Sequence, residues 1–369
     1  MEKMLLCSAS QWGSLGYACD LLASSPQLGP LAPKLRAAGY GVFHIPFRSK
    51  YRYLLRARFI PEYFRLCRSG YDVVHLHIEA ATPIFALLAK LAGVPCIVLT
   101  PHSIYDFSGF LRARKFAERF LIRLLGGRYG MISEGVRQCE WERYRNPGVR
   151  TWNWFDSSHF RPPGGQERES ARQSLGCRPD QFVIVSVGNC HDNKNHSELL
   201  RAIASLPRSL EPYYLHVGSG LDEEREKRLA AELGIESKVR FCGSQEDPRP
   251  FLWAADVFAM PSRREGLGIS AIEAIACGVP AVLSGVKGLL EVAAGTEGTV
   301  FTTTAAESIA AGLVRIAAVP ADESRRRALA DSERVRKEFS IEKGVRSIVE
   351  GLYQDRAPQS HSGREEYAL

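Results

Sequence analysis

Short, unbroken apolar runs that alternate with helix-like stretches constrain this chain more than any other feature. Residues 73–77, 95–100, 181–187 and 214–217, Val257–Met260 and Ala281–Ser284 read as strands. Residues 83–92, closed by Gly93, and residues 269–277 read as helices between them. Strands that are apolar on both faces belong to parallel sheets covered by helices on each side. The opening run Met4, Leu5, Leu6, Cys7 lacks the long apolar region of a signal peptide and reads as a buried first strand. A chain of 369 residues with 45% hydrophobic and 24% charged side chains can bury two such α/β units. No apolar run reaches the length of a membrane-spanning helix.

The boundary between the units is expected near residues 151–180, where Arg161-Pro162-Pro163-Gly164-Gly165 is turn and linker chemistry. This gives a first domain over residues 1–160 and a second over 161–340. Residues 341–356 belong to an amphipathic helix with Ile341, Val345, Ile348, Val349 and Leu352 on one side, and residues 357–369 form a polar tail expected to be disordered. The net charge of +7 is unevenly spread. Residues 1–161 carry 22 basic and 11 acidic side chains, and the rest carries 26 and 30. A strongly basic front half points to an anionic partner. Residues 110–125 (FLRARKFAERFLIRLL) and 51–68 interleave aromatic and basic side chains, which suits an anionic bilayer surface; the bland alternative is a half-buried helix with a solvated basic face. No nucleic-acid recognition motif accompanies them, so nucleic acid is not an expected partner. The nine cysteines include no C-x-x-C pair, which fits a reducing cytoplasm rather than a disulfide framework or a zinc site.

Chemistry concentrates in residues 261–291, PSRREGLGISAIEAIACGVPAVLSGVKGLLE. A strand runs into a loop where Gly266 and Gly268 let the backbone approach a ligand, and a helix follows whose first amides and dipole favour a phosphate. Glu265 and Glu273 lie eight residues apart, about 800° of helical rotation, so both are expected to lean to one side. Carboxylates are good acceptors for sugar hydroxyls.

This stretch resembles the signature of GT-B retaining glycosyltransferases of the family 4 type, P-S-x-x-E-G-x-G-x-x-x-x-E-A-x-A-x-G-x-P, matching at Pro261, Ser262, Glu265, Gly266, Gly268, Glu273, Ala274, Ala276, Gly278 and Pro280. The resemblance continues along the chain. Val187-Gly188-Asn189 with Lys194 is similar to V-G-R-x-x-x-x-K, His216–Gly220 to a G-x-G strand end, and Val239-Arg240-Phe241-Cys242-Gly243 to V-x-F-x-G. In the front half, residues 72–77 resemble D-V-V-H-x-H, Thr100-Pro101-His102 a T-x-H strand end, and Asn153-Trp154-Phe155-Asp156 the hinge N-G-V-D.

The resemblance implies two doubly wound Rossmann-like domains facing across a cleft, the first taking the acceptor and the second a nucleotide-sugar, with the last helix crossing back to the first. It implies transfer of a hexosyl unit from a UDP- or GDP-sugar, with retention, to an acceptor hydroxyl. Glu265 would contact the donor sugar, with the amides of Gly266, Leu267 and Gly268 near the sugar and diphosphate. Glu273 would bond the ribose. Lys194 would neutralise the leaving diphosphate, and His102 would lie by the reacting sugar and acceptor. Gly188, Asn189, Gly218, Gly220, Arg240, Phe241 and Gly243 complete the donor side. Gly13, Ser14, Gly16, His77 and His102 make the acceptor side. No metal or other cofactor is expected, since fixed protein charge would do the work of a metal ion. The basic front domain favours a lipid-linked sugar or other glycan acceptor at the inner face of the cytoplasmic membrane, in surface polysaccharide or glycolipid assembly. The alternatives are a GT-B sugar-nucleotide epimerase and a weakly catalytic, sugar-nucleotide-binding partner subunit. A glycosidase is disfavoured by the phosphate-cradling context of Glu265.

Three departures from the family pattern stand out. Asn189 replaces the usual Arg, and Arg263 or Arg264 could compensate. Gln11-Trp12-Gly13-Ser14-Leu15-Gly16 lacks the Glu of the front glycine loop, and the chain then reaches Gly29-Pro30-Leu31-Ala32-Pro33-Lys34-Leu35-Arg36 sooner than expected, as if the first helix were short. Trp154 replaces the hinge glycine. His75 and His77 alternate on a strand, so one is expected to face the ligand side and one to pack against a helix; as a metal pair they lack a third ligand.

Overall fold

A computed structural model describes residues 2–47 and 54–353, the side chains of residues 54–57 excepted. The expected tail, residues 357–369, lies outside the described residues, as do residues 51–53 of the aromatic and basic stretch 51–68. The chain forms two compact units. One gathers residues up to Ile132, Val136–Trp154 and the described residues from Ile341 onward; the other spans Phe155–Ser340 together with Ser133–Gly135.

The first unit contains strands β1 (Asp20–Ala23) and β2 (Gly41–His44), a parallel pair, and β3 (Val73–Leu76), β4 (Cys96–Leu99), β5 (Arg128–Met131) and β6 (Val149–Arg150), a four-stranded parallel sheet in chain order. The expectation of a first strand at Met4–Cys7 is corrected. Residues Glu2–Cys7 and Ala9–Ser14 are short helices, and the first strand begins at Asp20. Met and Leu favour helix, and an apolar run of four without a β-branched residue does not decide between the two forms. Tertiary packing decides here: Met4, Leu5, Leu6 and Trp12 join Trp154, Val345, Ile348, Leu352 and Tyr353 in one core.

That core explains the tryptophan in the hinge sequence. Trp154 is 1% exposed and packs edge-on to Trp12 at 6.3 Å, and its indole donates to the Met4 carbonyl at 2.8 Å. Gly344, in the helix Ile341–Ile348, makes room: a Cβ there would sit 2.3 Å from Trp154 Cε3. The second unit's main stretch opens at Phe155, within the range expected for the boundary. The Arg161–Gly165 segment is not a free linker; Arg161 pairs with Glu167 at 2.8 Å, and Glu167 accepts from the Gly164 amide at 2.7 Å to start the helix Gly165–Ser174.

The second unit is one six-stranded parallel sheet, β7 (Phe182–Val187), β8 (Pro212–Val217), β9 (Val239–Phe241), β10 (Val257–Met260), β11 (Ala281–Ser284) and β12 (Thr299–Thr302), in the order β12-β11-β10-β7-β8-β9. Its four central strands, β11, β10, β7 and β8, are buried almost throughout, whereas the edge strands β9 and β12 are partly exposed. Chain order reverses between β10 and β7, and in doubly wound sheets ligands bind outside the carboxyl ends of the strands at that point. None of the nine cysteines is in a disulfide. Among the described residues no helix is long and apolar enough to cross a membrane.

Candidate active site

The loops that leave β7 and β10 meet at the reversal point. Lys194, at the end of a 3-10 turn after β7, places Nζ 2.8 Å from Glu265 Oε2, which lies in the loop after β10. The two loops are tied by a second set of bonds. The Arg263 amide donates to the Asn193 carbonyl at 2.8 Å, and the Asn193 side chain donates to the Arg264 carbonyl at 2.8 Å. Buried Asn195 donates to the carbonyls of Pro261 and Thr304 at 3.2 and 2.9 Å. Arg263 bonds Asn195 Oδ1 at 3.2 Å and Asp192 Oδ2 at 3.3 Å. Arg263 thus shapes the turn that carries Lys194, whereas Arg264 is exposed and meets this turn through its carbonyl.

Asn195 was not singled out by sequence reasoning, although Asn195 followed by Glu198 is a helix-start signal. Its backbone is left-handed (φ 60°), and its side chain does not cap the helix His196–Ala204 but holds the loops together.

Glycines set the floor of this region. Gly218, after β8, has φ 146°, and a Cβ on it would fall 1.8 Å from the Gly188 carbonyl oxygen. Its amide donates to the Gly243 carbonyl at 2.8 Å, so the ends of β7, β8 and β9 are locked backbone to backbone. Gly220 lies in the same loop, and Phe241 is half-buried against His216. Arg240 is not brought to this edge by its side chain: its guanidinium donates to the Leu175 carbonyl at 3.0 Å.

Gly266, Leu267 and Gly268 are buried, and Gly268 (φ 86°) is the N-cap of the helix Ile269–Ala276. A left-handed glycine with no side chain leaves the first-turn amides uncapped by any side chain, a favourable setting for an anion. Glu273 is half-buried on that helix. Because the helix begins only at Ile269, Glu265 lies in the preceding loop, and a count of helical rotation does not set its direction.

In the first unit, His75, His77, Thr100 and His102 gather at the carboxyl ends of β3 and β4. His77 Nδ1 is 2.9 Å from His102 Nε2, and His75 bonds Thr100 Oγ1 at 2.7 Å and the Tyr353 hydroxyl at 3.0 Å. The expectation that His75 and His77 diverge is corrected: their rings stack at 4.1 Å. Side chains two apart on a strand share a face. Burial pushes all three imidazoles down, His77 to about 4, so they are neutral hydrogen-bonding groups. Gly13 and Ser14 end the helix Ala9–Ser14 and Gly16 turns the chain toward β1. They therefore precede the first strand and do not lie at a strand's carboxyl end.

The doubly wound sheet, the glycine-lined strand ends and the Lys–Glu pair at the reversal point define an α/β unit of the kind that takes a ligand outside the carboxyl ends of its strands. Residues 1–188 match the family described as Glycosyl transferase 4-like domain, and residues 167–334 match Glycosyl transferases group 1. The chain belongs to this glycosyltransferase family, and its fold is the GT-B type. It is 38% identical over 262 residues to a D-inositol 3-phosphate glycosyltransferase 2 of Catenulispora acidiphila, covering 62% of this chain and 58% of that protein. It is 26% identical over 237 residues to the UDP-Gal:alpha-D-GlcNAc-diphosphoundecaprenol alpha-1,3-galactosyltransferase of Escherichia coli, covering 61% of each. The chain thus spans about three-fifths of the length of these relatives. Among solved structures, a glycosyltransferase from Rickettsia africae (TM-score 0.80, 19% identity, 95% of this chain and 93% of that one) and Anabaena HepE in complex with UDP and glucose (TM-score 0.80, 18% identity, 96% of each) share the fold.

Proposed function

We propose that the chain is a retaining hexosyltransferase that moves a sugar from a UDP- or GDP-sugar to an acceptor hydroxyl. The Lys194–Glu265 pair at the strand-order reversal carries this reading. When the bond between the anomeric carbon and the diphosphate oxygen breaks, negative charge collects on the diphosphate and positive charge on the sugar. The Lys194 ammonium and the uncapped amides after Gly268 answer the first; the Glu265 carboxylate holds sugar hydroxyls beside the second. The acceptor attacks on the face the nucleotide leaves, and its hydroxyl proton passes to the departing diphosphate oxygen. No cofactor takes part. UDP in HepE and the UDP-galactose named for the E. coli relative favour a UDP-sugar. A thermal-shift series with UDP, GDP, ADP and their common sugars tests the donor. At 100-fold over Kd a true ligand stabilises by about 2.7 kcal/mol. No shift with any of them would remove the donor-binding claim.

The acceptor reading is a lipid-linked sugar, or another glycan, met at the cytoplasmic face of a membrane in surface polysaccharide or glycolipid assembly. Its support is the helix Gly109–Leu124, which is inverted relative to an ordinary surface helix. Lys115 and Arg119 are buried, whereas Phe110 is 85% exposed, Leu124 68%, and Phe116, Phe120 and Leu121 are exposed beside Arg112, Arg114 and Arg123. The neighbouring helix Thr82–Leu91 adds exposed Leu87 and Leu91. An outward apolar stripe flanked by arginines suits an anionic bilayer. In the helix Leu54–Cys67, by contrast, Phe59 and Tyr63 are buried, so the second stretch contributes less. The chain is expected to pellet with anionic vesicles at low salt and to release at high salt. Each inserted phenylalanine contributes about 1.5–3 kcal/mol, so Phe110→Ser with Phe120→Ser should weaken binding roughly tenfold or more. Indifference to lipid charge and to these substitutions would end the membrane reading.

A further inference from the structure

The second unit holds a side-chain cluster that the transfer reaction does not use. Cys190 follows β7, His196 opens the helix His196–Ala204, His216 lies in β8, and Glu226 lies in the helix Glu223–Glu232. These four elements bring a thiol sulfur, one nitrogen from each imidazole and a carboxylate oxygen within 4.8 Å of one another, all buried. Cys190 Sγ is 3.1 Å from His216 Nε2, and His196 Nδ1 is 3.2 Å from Glu226 Oε1. Glu226 is only 2% exposed, and its Oε2 has no hydrogen-bond partner. An ionisable group buried with one oxygen bare is costly unless something fills the gap.

We propose that Cys190, His196, His216 and Glu226 bind one zinc ion. Thiolate, imidazole and carboxylate are each zinc donors, and four of them supplied by the protein would close a tetrahedral site. Bonds of about 2.0–2.3 Å in a tetrahedron hold the donors about 3.3–3.6 Å apart, so the two close pairs are within a few tenths of an ångström of that spacing. Charge closes as well: a thiolate and a carboxylate balance a divalent cation, leaving a neutral buried centre. The remaining His216 nitrogen, Nδ1, is held at 3.1 Å from Ser186 Oγ and 3.0 Å from the Tyr214 hydroxyl, which fixes the ring with Nε2 toward the cluster. Binding would release the Cys190 proton to solvent. The ion would clip the loop after β7 to β8 and to the helix Glu223–Glu232, four residues before Lys194, and so position that lysine without touching the donor.

The test uses the whole chain, stripped with a chelator under reducing conditions and titrated with Zn²⁺ against a chromophoric competitor, and separately with Co²⁺. The expected result is one equivalent bound tighter than about 1 μM, with a thiolate-to-cobalt charge-transfer band. Cys190→Ser should abolish the band and weaken binding at least a hundredfold, while Cys177→Ser keeps both. Should Cys190→Ser fail to fold, alkylation of the unsubstituted chain in mild denaturant decides: Zn²⁺ should slow modification of Cys190 and leave that of Cys177 unchanged, and equal rates with and without Zn²⁺ would overturn the proposal. No metal uptake, no thiolate band, or binding that Cys190→Ser retains would overturn the proposal.

Discussion

Lys194→Ala is expected to lower kcat by about 10²–10³-fold with a UDP-sugar donor, the cost of removing one preorganised charge from a developing anion. The fold should survive. The Lys194–Glu265 pair is half-buried at the mouth of the loops, with side-chain exposures of 19% and 18%, and the loops remain joined by Asn193, Asn195 and Arg263. Glu265→Gln should lower kcat by a similar factor for a different reason: it keeps a hydrogen-bonding group toward the sugar but removes the negative charge beside the anomeric carbon. The two substitutions act on one transition state, so the double variant should lose less than the product of the single losses. Initial rates at saturating donor, with a product assay, measure all three. If Lys194→Ala keeps more than about a tenth of the rate, the leaving group is stabilised elsewhere, with Arg264 the next cation to test.

The strand–loop–helix placement of residues 257–284 is legible in the sequence because it is local. Residues 261–282 hold Glu265, Gly266, Gly268 and Glu273 within one strand–loop–helix unit, and the strand Val257–Met260 and the strand Ala281–Ser284 lie where the apolar runs put them. What was misread depends on partners far along the chain. Met4–Cys7 becomes helix because Trp154 and residues 341–353 offer it a surface. The amphipathic period of residues 109–124 was plain, but not which face turns inward. That is set by Glu79 and Glu140, 40 and 21 residues from Arg119. The Cys190 cluster has no motif spacing; only the adjacency of β7 and β8 and the two flanking helices assembles it.

The inverted helix also supplies the largest expected loss of stability. Arg119 and Glu140 are 4% and 1% exposed and form a two-pronged pair at 2.6 and 2.7 Å. Arg119 also reaches Glu79 at 3.2 Å and lies over the Tyr144 ring at 4.3 Å, while Asn146 donates to Glu140 at 2.8 Å. Lys115 completes the buried face, bonded to Glu79 and Glu118 at 3.1 and 2.7 Å. Glu140→Ala leaves the buried guanidinium with only the longer bonds to Glu79 and removes the acceptor of the Asn146 amide, which should cost about 3 kcal/mol, the lower end for breaking a buried pair. Hydrogen exchange in the helix Gly109–Leu124 reads this locally, and protection should fall by about 10²-fold or more, at 1.4 kcal/mol per factor of ten. Arg119→Met combined with Glu140→Leu removes both charges together and should recover most of the loss, since a well-packed apolar pair often replaces a buried ion pair at little cost. The double variant separates two causes. If charges serve only to anchor the helix, its apolar face stays outward and vesicle binding persists. If the helix can turn over once its inner face is apolar, Phe116 and Phe120 become protected from solvent and vesicle binding falls. A loss below about 1 kcal/mol for Glu140→Ala would instead mean that the helix is held by packing of Ile122 and its neighbours, and that the buried charges are incidental to its orientation.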